Sequence, residues 1–263
     1  MKYNTILFEI TNGIARLTLN RPDKLNSFTA EMHGEVRAAL DQVKSEPSVR
    51  VLVLSGAGRG FCAGQDLSDR DVAPGGEAVD LGKSVEQYYA PLVLALRALP
   101  VPVICAVNGV AAGAGANLAL AGDIVVATKS ASFVEVFCKL GLIPDTGGTY
   151  FLPRLIGTAR AMGLAMLGEK LTAERAESWG LIWKCIADER FAEEVNTLAT
   201  HFASAPTLGL AKSKQLIYAS GMNTLDQQLQ LEADTMRELG YSNDYREGVS
   251  AFLEKRSPAF KGK

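Results

Sequence analysis

Histidine is scarce in this chain, with two in 263 residues. His33 lies in EMHGEVRAALDQV and His201 in EEVNTLATHFASA, both with helical spacing, so each reads first as a partly exposed helix residue. That scarcity disfavours Ser-His-Asp and Cys-His catalysis, and histidine metal sites with them. Proton transfer, if there is any, falls to a carboxylate. Cysteine is also sparse: Cys62, Cys105, Cys138 and Cys185 form no C-x-x-C pair and no metal-ligand spacing. They suit a reduced, cytoplasmic setting. Cys62 stands between Phe61 and Ala63 with no His or Lys adjacent in sequence, which reads as a packed core thiol rather than a nucleophile. Neither sign of charge is in excess: 27 Lys and Arg face 29 Asp and Glu, a net charge of −2. There is no basic stripe for nucleic acid and no polybasic tail for a lipid surface. The opening MKYNTILFEITNGIARL lacks the apolar block and cleavage site of a signal peptide.

What the chain does have is a run of small residues. PVICAVNGVAAGAGANLALAGD, residues 102–123, enters as an apolar β-prone segment, turns through Asn108–Gly115 and leaves as an Ala/Leu-rich helix. A turn this rich in Gly and Ala lets backbone amides approach a ligand, and a helix N-terminus adds partial positive charge. Such donors suit an oxygen that becomes anionic during a reaction. Two rival readings exist. Residues 98–122 carry no formal charge, as a membrane span would not, but they hold Pro100, Pro102, Asn108, Asn117 and four Gly. Gly113-Ala-Gly115 begins like a dinucleotide fingerprint, but Leu118 stands where the third small residue belongs.

The chain length and a hydrophobic content of 48% allow one large domain or a domain with an extension. Ile6–Ile10 and Ile14–Leu19 alternate around Asn12-Gly13 and predict a hairpin. Glu31–Val43 has helical spacing, and Val51–Leu54, Val101–Val107 and Asp123–Ala127 read as buried strands. Strands separated by helical stretches predict an α/β layout with parallel pairing. Past about residue 150 the spacing is helical: Arg154–Leu167, Ala173–Trp179, Arg190–Ser204, Leu208–Ser220, Thr224–Leu239 and Asp244–Lys255. The loop Asp69–Gly82, with Pro74-Gly75-Gly76, reads as mobile or ligand-responsive.

A second small-residue turn, GAGRGFCAGQDL, follows the strand at 51–54. It either connects elements tightly or supplies a second amide to the same oxygen. In LGLIPDTGGT, Asp145 is either a helix N-cap or a carboxylate base in a low-dielectric pocket.

Taken together, LNRPDKLNSF (19–28), GRGFCAGQDL (58–67), residues 102–127, KLGLIPDTGGTYFLPRLIG (139–157) and REGVSAFLEKRSPAF (246–260) resemble the crotonase (enoyl-CoA hydratase/isomerase) superfamily. The resemblance covers essentially the whole chain, in order. It implies a ββα spiral core over residues 1–200, with a C-terminal helical trimerisation region over 201–263. Within the superfamily, FCAGQDL, IPDTGG and SVEQYYAPLVLAL are most similar to the branch that rearranges the ring epoxide of an aryl-acetyl-CoA and shifts enoyl-CoA double bonds. The oxyanion amides then fall at Ala63 and Ala114. The positions of a hydratase's two glutamates hold Asn117 and Phe137, with Glu135 two residues out of register. Asp145 matches the aspartate of isomerase-type members, and Asn117 either hydrogen-bonds near the reacting atoms or is only a helix-start residue. Coenzyme A recognition is implied at Lys24, Leu25, Ala63, Gly64, Gln65, Asp66 and Leu67, with Phe252 and Lys255 completing the nucleotide site across a subunit interface. Lys24 and Lys255 also read as solvated surface lysines. The resemblance implies an acyl-CoA partner, no separate cofactor or metal, and a homotrimer or dimer of trimers.

Overall fold

The computed structural model describes residues 2–69 and 80–263. Aliphatic runs without polar interruption become strands buried on both faces. Six form a main sheet: β1 (Ile6–Thr11), β2 (Ile14–Leu19), β3 (Val51–Gly56), β5 (Val103–Val107), β7 (Ile124–Thr128) and β10 (Lys184–Ile186), neighbours in that order. β1 and β2 are the expected hairpin, turning through Asn12 (φ 53°) and Gly13 (φ 78°); the other pairs are parallel. Alternate residues of β3 and β5 face opposite ways. Leu52, Leu54, Val103 and Cys105 enter the large core, while Val51, Val53, Ile104 and Ala106 enter a smaller one.

A second sheet of three-residue strands lies beside it: β4 (Gly60–Cys62), β6 (Val110–Ala112), β8 (Ser132–Val134) and β9 (Lys170–Thr172). β4, β6 and β8 are parallel, and β9 runs antiparallel to β8. Thus β3, β5 and β7 each hand directly to a strand of the second sheet, and a helix follows. This is the ββα spiral. The helices are α1 (Ala30–Ser45), α2 (Leu81–Ser84), α3 (Ala90–Ala98), α4 (Ala114–Leu120) and α5 (Gly148–Leu167); a π-helical turn, Val85–Tyr89, joins α2 to α3. α5 breaks at Gly157, whose φ of 76° and ψ of 161° are non-helical. Then come α6 (Ala173–Trp179), α7 (Phe191–Ser204), α8 (Thr207–Ser220), α9 (Leu225–Gly240) and α10 (Asn243–Glu254). Thr29 caps α1 and a Thr224/Gln227 capping box starts α9.

The uncharged run 98–122 is split into β5, β6 and α4, and no helix among the described residues is long and apolar enough to cross a membrane. The Pro74-Gly75-Gly76 loop lies outside the described residues. His33 corrects an expectation. It is buried (4% exposed) among Phe28, Tyr88 and Tyr89, with ring centroids 4.5, 5.0 and 4.7 Å away. Burial, then the charge of Arg37, lowers its pKa to about 4.

Asn26 braces the loops below the second sheet. It is fully buried, with φ 57°. Its Nδ2 donates to the carbonyls of Ala57 (2.9 Å) and Gly60 (2.8 Å), and its Oδ1 accepts from the Arg21 N–H (2.9 Å). Asn26→Ala strands those three groups in the interior, so chemical denaturation should show a loss of about 2–4 kcal/mol.

Candidate active site

The two small-residue turns meet back to back. β4 ends at Cys62 and the chain turns through Ala63–Leu67; β6 ends at Ala112 and α4 begins at Ala114. A Cβ on Gly64 would lie 3.0 Å from the Ala112 carbonyl oxygen and 3.2 Å from the Ala114 nitrogen, and one on Gly115 would lie 2.2 Å from the Cys62 carbonyl oxygen. Gly64 also has φ +89°, a conformation side chains rarely adopt. Only glycine allows backbone to lie on backbone here.

The free amides differ from those expected. The Ala63 N–H donates to the Leu25 carbonyl (2.9 Å), so it is not available to a ligand. The Gly64 N–H points at the Cys62 sulfur (3.4 Å), and the Asp66 N–H donates to Phe28 O (2.9 Å). Gln65 is left in this turn, and Ala114 and Gly115 at the start of α4: among the described residues none of these N–H groups has an acceptor. The free amide of the first turn is therefore that of Gln65 and not that of Ala63, alongside Ala114 at the start of α4. The Gln65 side chain is pinned away from its own amide, donating to Phe28 O (3.1 Å) and accepting from the Tyr89 hydroxyl (2.9 Å). Since α4 has seven residues, its contribution is chiefly this unpaired first N–H rather than a long dipole.

Asp145 is half-buried in the turn that leads into α5. Its carbonyl accepts from the Gly148 N–H (2.8 Å) and from Asn117 Nδ2 (2.9 Å), and its Oδ1 accepts from the Thr146 hydroxyl (2.8 Å). The helix is capped not by Asp145 but by Gly147, which has φ 84°. Thr146, a β-branched residue, is held at φ 53°, a strained conformation of the kind that collects at functional sites. Asn117 is one turn beyond Ala114 on α4, so its bond ties Asp145 to the helix that presents the unpaired Ala114 amide.

The residues implied for coenzyme A divide. Lys24 is exposed on a 3-10 turn, Pro22–Lys24, and Leu67 is 56% exposed beside the Gln65 amide. Leu25 (φ 47°) supplies the carbonyl that holds Ala63. The Asp66 carboxylate is already committed: the Ser68 hydroxyl (2.6 Å) and then Arg21 (2.8 Å) hold its pKa down at about 2. It can offer a ligand only its backbone. Phe252 and Lys255 lie on α10 and its C-cap, and no hydrogen bond or ion pair links them to the 63–67 turn among the described residues. Burial pushes the Cys62 thiol up to about 12, in keeping with a core thiol.

Glu135, two residues out of register with the hydratase position, lies in the site nonetheless. It follows β8, is 3% exposed, and places Oε2 3.3 Å from Asn117 Nδ2. Burial, and to a lesser degree the charge of Asp145, push its pKa up to about 7 against the pull of the Asn117 hydrogen bond. The one sequence signal was an acid inside an apolar run, FVEVF. Phe137 occupies the neighbouring hydratase position and packs by Gly113. A cavity of about 740 Å³ lies elsewhere, around Arg97, Asp123, Tyr150 and Tyr218. Its Asp123 is already bound by Tyr218 and by Lys214, whereas the Gln65 and Ala114 amides have no acceptor among the described residues.

A family model described as enoyl-CoA hydratase/isomerase matches residues 9–263. The chain is 60% identical to the 1,2-epoxyphenylacetyl-CoA isomerase of Escherichia coli K12, over 98% of each protein. It is 34% identical to the trans-2-decenoyl-[acyl-carrier-protein] isomerase of Streptococcus mutans, over the full length of both. Among solved structures it is similar to an enoyl-CoA hydratase from Bacillus anthracis, with a TM-score of 0.91 and 32% identity, covering 99% of this chain and 100% of that one. Three stacked ββα turns, the paired glycine-lined amides and a match along nearly the whole sequence agree: the chain belongs to the enoyl-CoA hydratase/isomerase family.

Proposed function

We propose that this chain is an acyl-CoA isomerase that converts the ring-1,2-epoxide of phenylacetyl-CoA to oxepin-CoA and also shifts double bonds in enoyl-CoA thioesters. One observation carries the reading: the unpartnered N–H groups of Gln65 and Ala114 lie on abutting turns, with Asp145 tied to the same helix through Asn117. The thioester oxygen accepts from both amides. As a proton leaves the α or γ carbon, the charge that develops on that oxygen is met by dipoles already in place. Asp145 takes the proton and returns it at the other carbon, so the double bond moves and no atom is gained or lost. In the epoxide, the same carboxyl serves the ring opening while the amides hold the thioester. Coenzyme A is part of the substrate, and no separate cofactor is needed. The two hydratase glutamate positions hold Asn117 and Phe137, which leaves no matching pair to manage a water nucleophile.

Lys24 and the Gly64–Leu67 backbone suit the nucleotide and pantetheine of coenzyme A. Phe252 (83% exposed), Leu253 and Tyr241 leave apolar surface near the C-terminus that a trimer, alone or paired as a hexamer, would cover, bringing Phe252 and Lys255 to a neighbour's nucleotide site. Four unpaired cysteines suit the cytoplasm.

The test is turnover of phenylacetyl-CoA epoxide and of 3-enoyl-CoA thioesters, followed by mass spectrometry and NMR. Asp145→Asn should remain folded, with the Thr146 bond retained, and lose about 10²–10⁴-fold in kcat. A variant with most of its activity left would remove Asp145 as the base. Gly64→Ala should cost about 10²–10³-fold in kcat through the displaced amides. Hydration of crotonyl-CoA should be slow beside isomerisation; efficient hydration would overturn the argument from Asn117 and Phe137.

A further inference from the structure

The spiral delivers a third residue to the edge where the amides stand. β4, β6 and β8 are adjacent and parallel; Ala112 pairs with Val134, and the Gly113 N–H donates to Val134 O (2.9 Å). The residue that follows β8 therefore stands beside the one that precedes Ala114, and it is Glu135. Its carboxyl is buried against Asn117, and the same Nδ2 that it meets at 3.3 Å also donates to the Asp145 carbonyl at 2.9 Å. Asn117 is fully buried and its Oδ1 has no partner among the described residues. The amide is clamped from the far side, since a Cβ on Gly148 would lie 2.3 Å from Nδ2. Glu135, Asn117 and the Asp145 turn thus form one buried polar unit.

The unit holds no cation. α4 brings no titratable side chain. The turn before α5 brings Asp145; the 3-10 turn after Glu135 brings Cys138 and the exposed Lys139; β9 brings the exposed Lys170. No salt bridge is made by Glu135 among the described residues. Two carboxyls near one another, one of them buried without a counter-ion, do not ionise independently.

We propose that Glu135 is a positioning residue for Asp145, holding its turn through the Asn117 amide and coupling to it electrostatically, so that the two carboxyls titrate as a pair. This rests on the reading of Asp145 as the proton carrier. Below the titration of Glu135 the site carries the charge of Asp145 alone. Above it a second negative charge faces the developing enolate and opposes it. In the folded protein burial holds the Glu135 proton on to about pH 7, so ionisation of Glu135 weakens both turnover and the fold as pH rises through that region.

The test compares wild type with Glu135→Gln, which keeps the shape and an acceptor for Asn117 but cannot ionise, and with Glu135→Met, which removes both. In wild type, kcat should fall across roughly pH 6–8. In E135Q that limb should be absent, with KM unchanged. E135M should lose about a further tenfold in kcat, again with KM unchanged, as the turn loses its brace. The carboxyl ¹³C resonance of Glu135, assigned by its loss in E135Q, should titrate near pH 7 and move to lower pH in Asp145→Asn. Superimposable pH profiles for wild type and E135Q, or a Glu135 titration unmoved in D145N, would overturn the proposal. If wild type turns over no acyl-CoA, the functional reading fails, and the NMR titration still decides whether the carboxyls are coupled. Should E135M fail to fold, the comparison with E135Q stands alone.

Discussion

Backbone packed on backbone, with no side chain between, is the constraint on which this site depends. At Gly64 and Gly115 a single methyl group would drive apart the two turns that carry the Gln65 and Ala114 amides. Everything around them maintains that approach. β4 and β6 pair to bring the turns together, the Leu25 carbonyl takes up the Ala63 N–H, and Asn26 secures the loop beneath. In the first turn the Ala63 and Asp66 amides already have acceptors and the Gly64 amide faces a sulfur, which leaves that of Gln65. For the proposed chemistry, electrostatic preorganisation means that the donors need not move when charge appears.

Much of this was legible in the sequence. Asn12-Gly13 between alternating strands fixed a hairpin, and the uninterrupted runs at 51–54 and 101–107 announced strands buried on both faces. Helices past residue 150 followed from their 3.6-residue spacing, with ends that shift by only a few residues. The second sheet was not legible, because strands of three residues are too short to show any period. The choice between Ala63 and Gln65 was also hidden. Which amide is free depends on a bond to Leu25, far away in sequence, and not on anything in FCAGQDL itself. His33 has ordinary helical spacing; its burial comes from Tyr88 and Tyr89, which the π-helical turn sets against it.

Glu135 shows the same limit from another side. By its place in the chain, Phe137 stands where the resemblance implies a hydratase glutamate. Space asks which carboxyl reaches the amide of Asn117, and finds Glu135. The Asn117 side chain makes this possible, since an amide can bridge two groups that a carboxylate would repel. The aspartate turn is thereby held by a neutral linker, and the strain stored at Thr146 is balanced by bonds on both sides.

The alternation between two sheets also shapes how the molecule assembles. Within the hairpin Thr11 meets Ile14, but Leu52 must find Val103 about fifty residues away, and every later turn of the spiral repeats a long closure. Topologies dominated by such distant pairings fold slowly and leave apolar strand edges uncovered while they wait. The hairpin is the one piece of the main sheet that can form from local contacts alone. It offers β3 a template, after which each strand added creates the edge on which the next one docks, and the strands of the main sheet lie side by side in the order in which they occur along the chain.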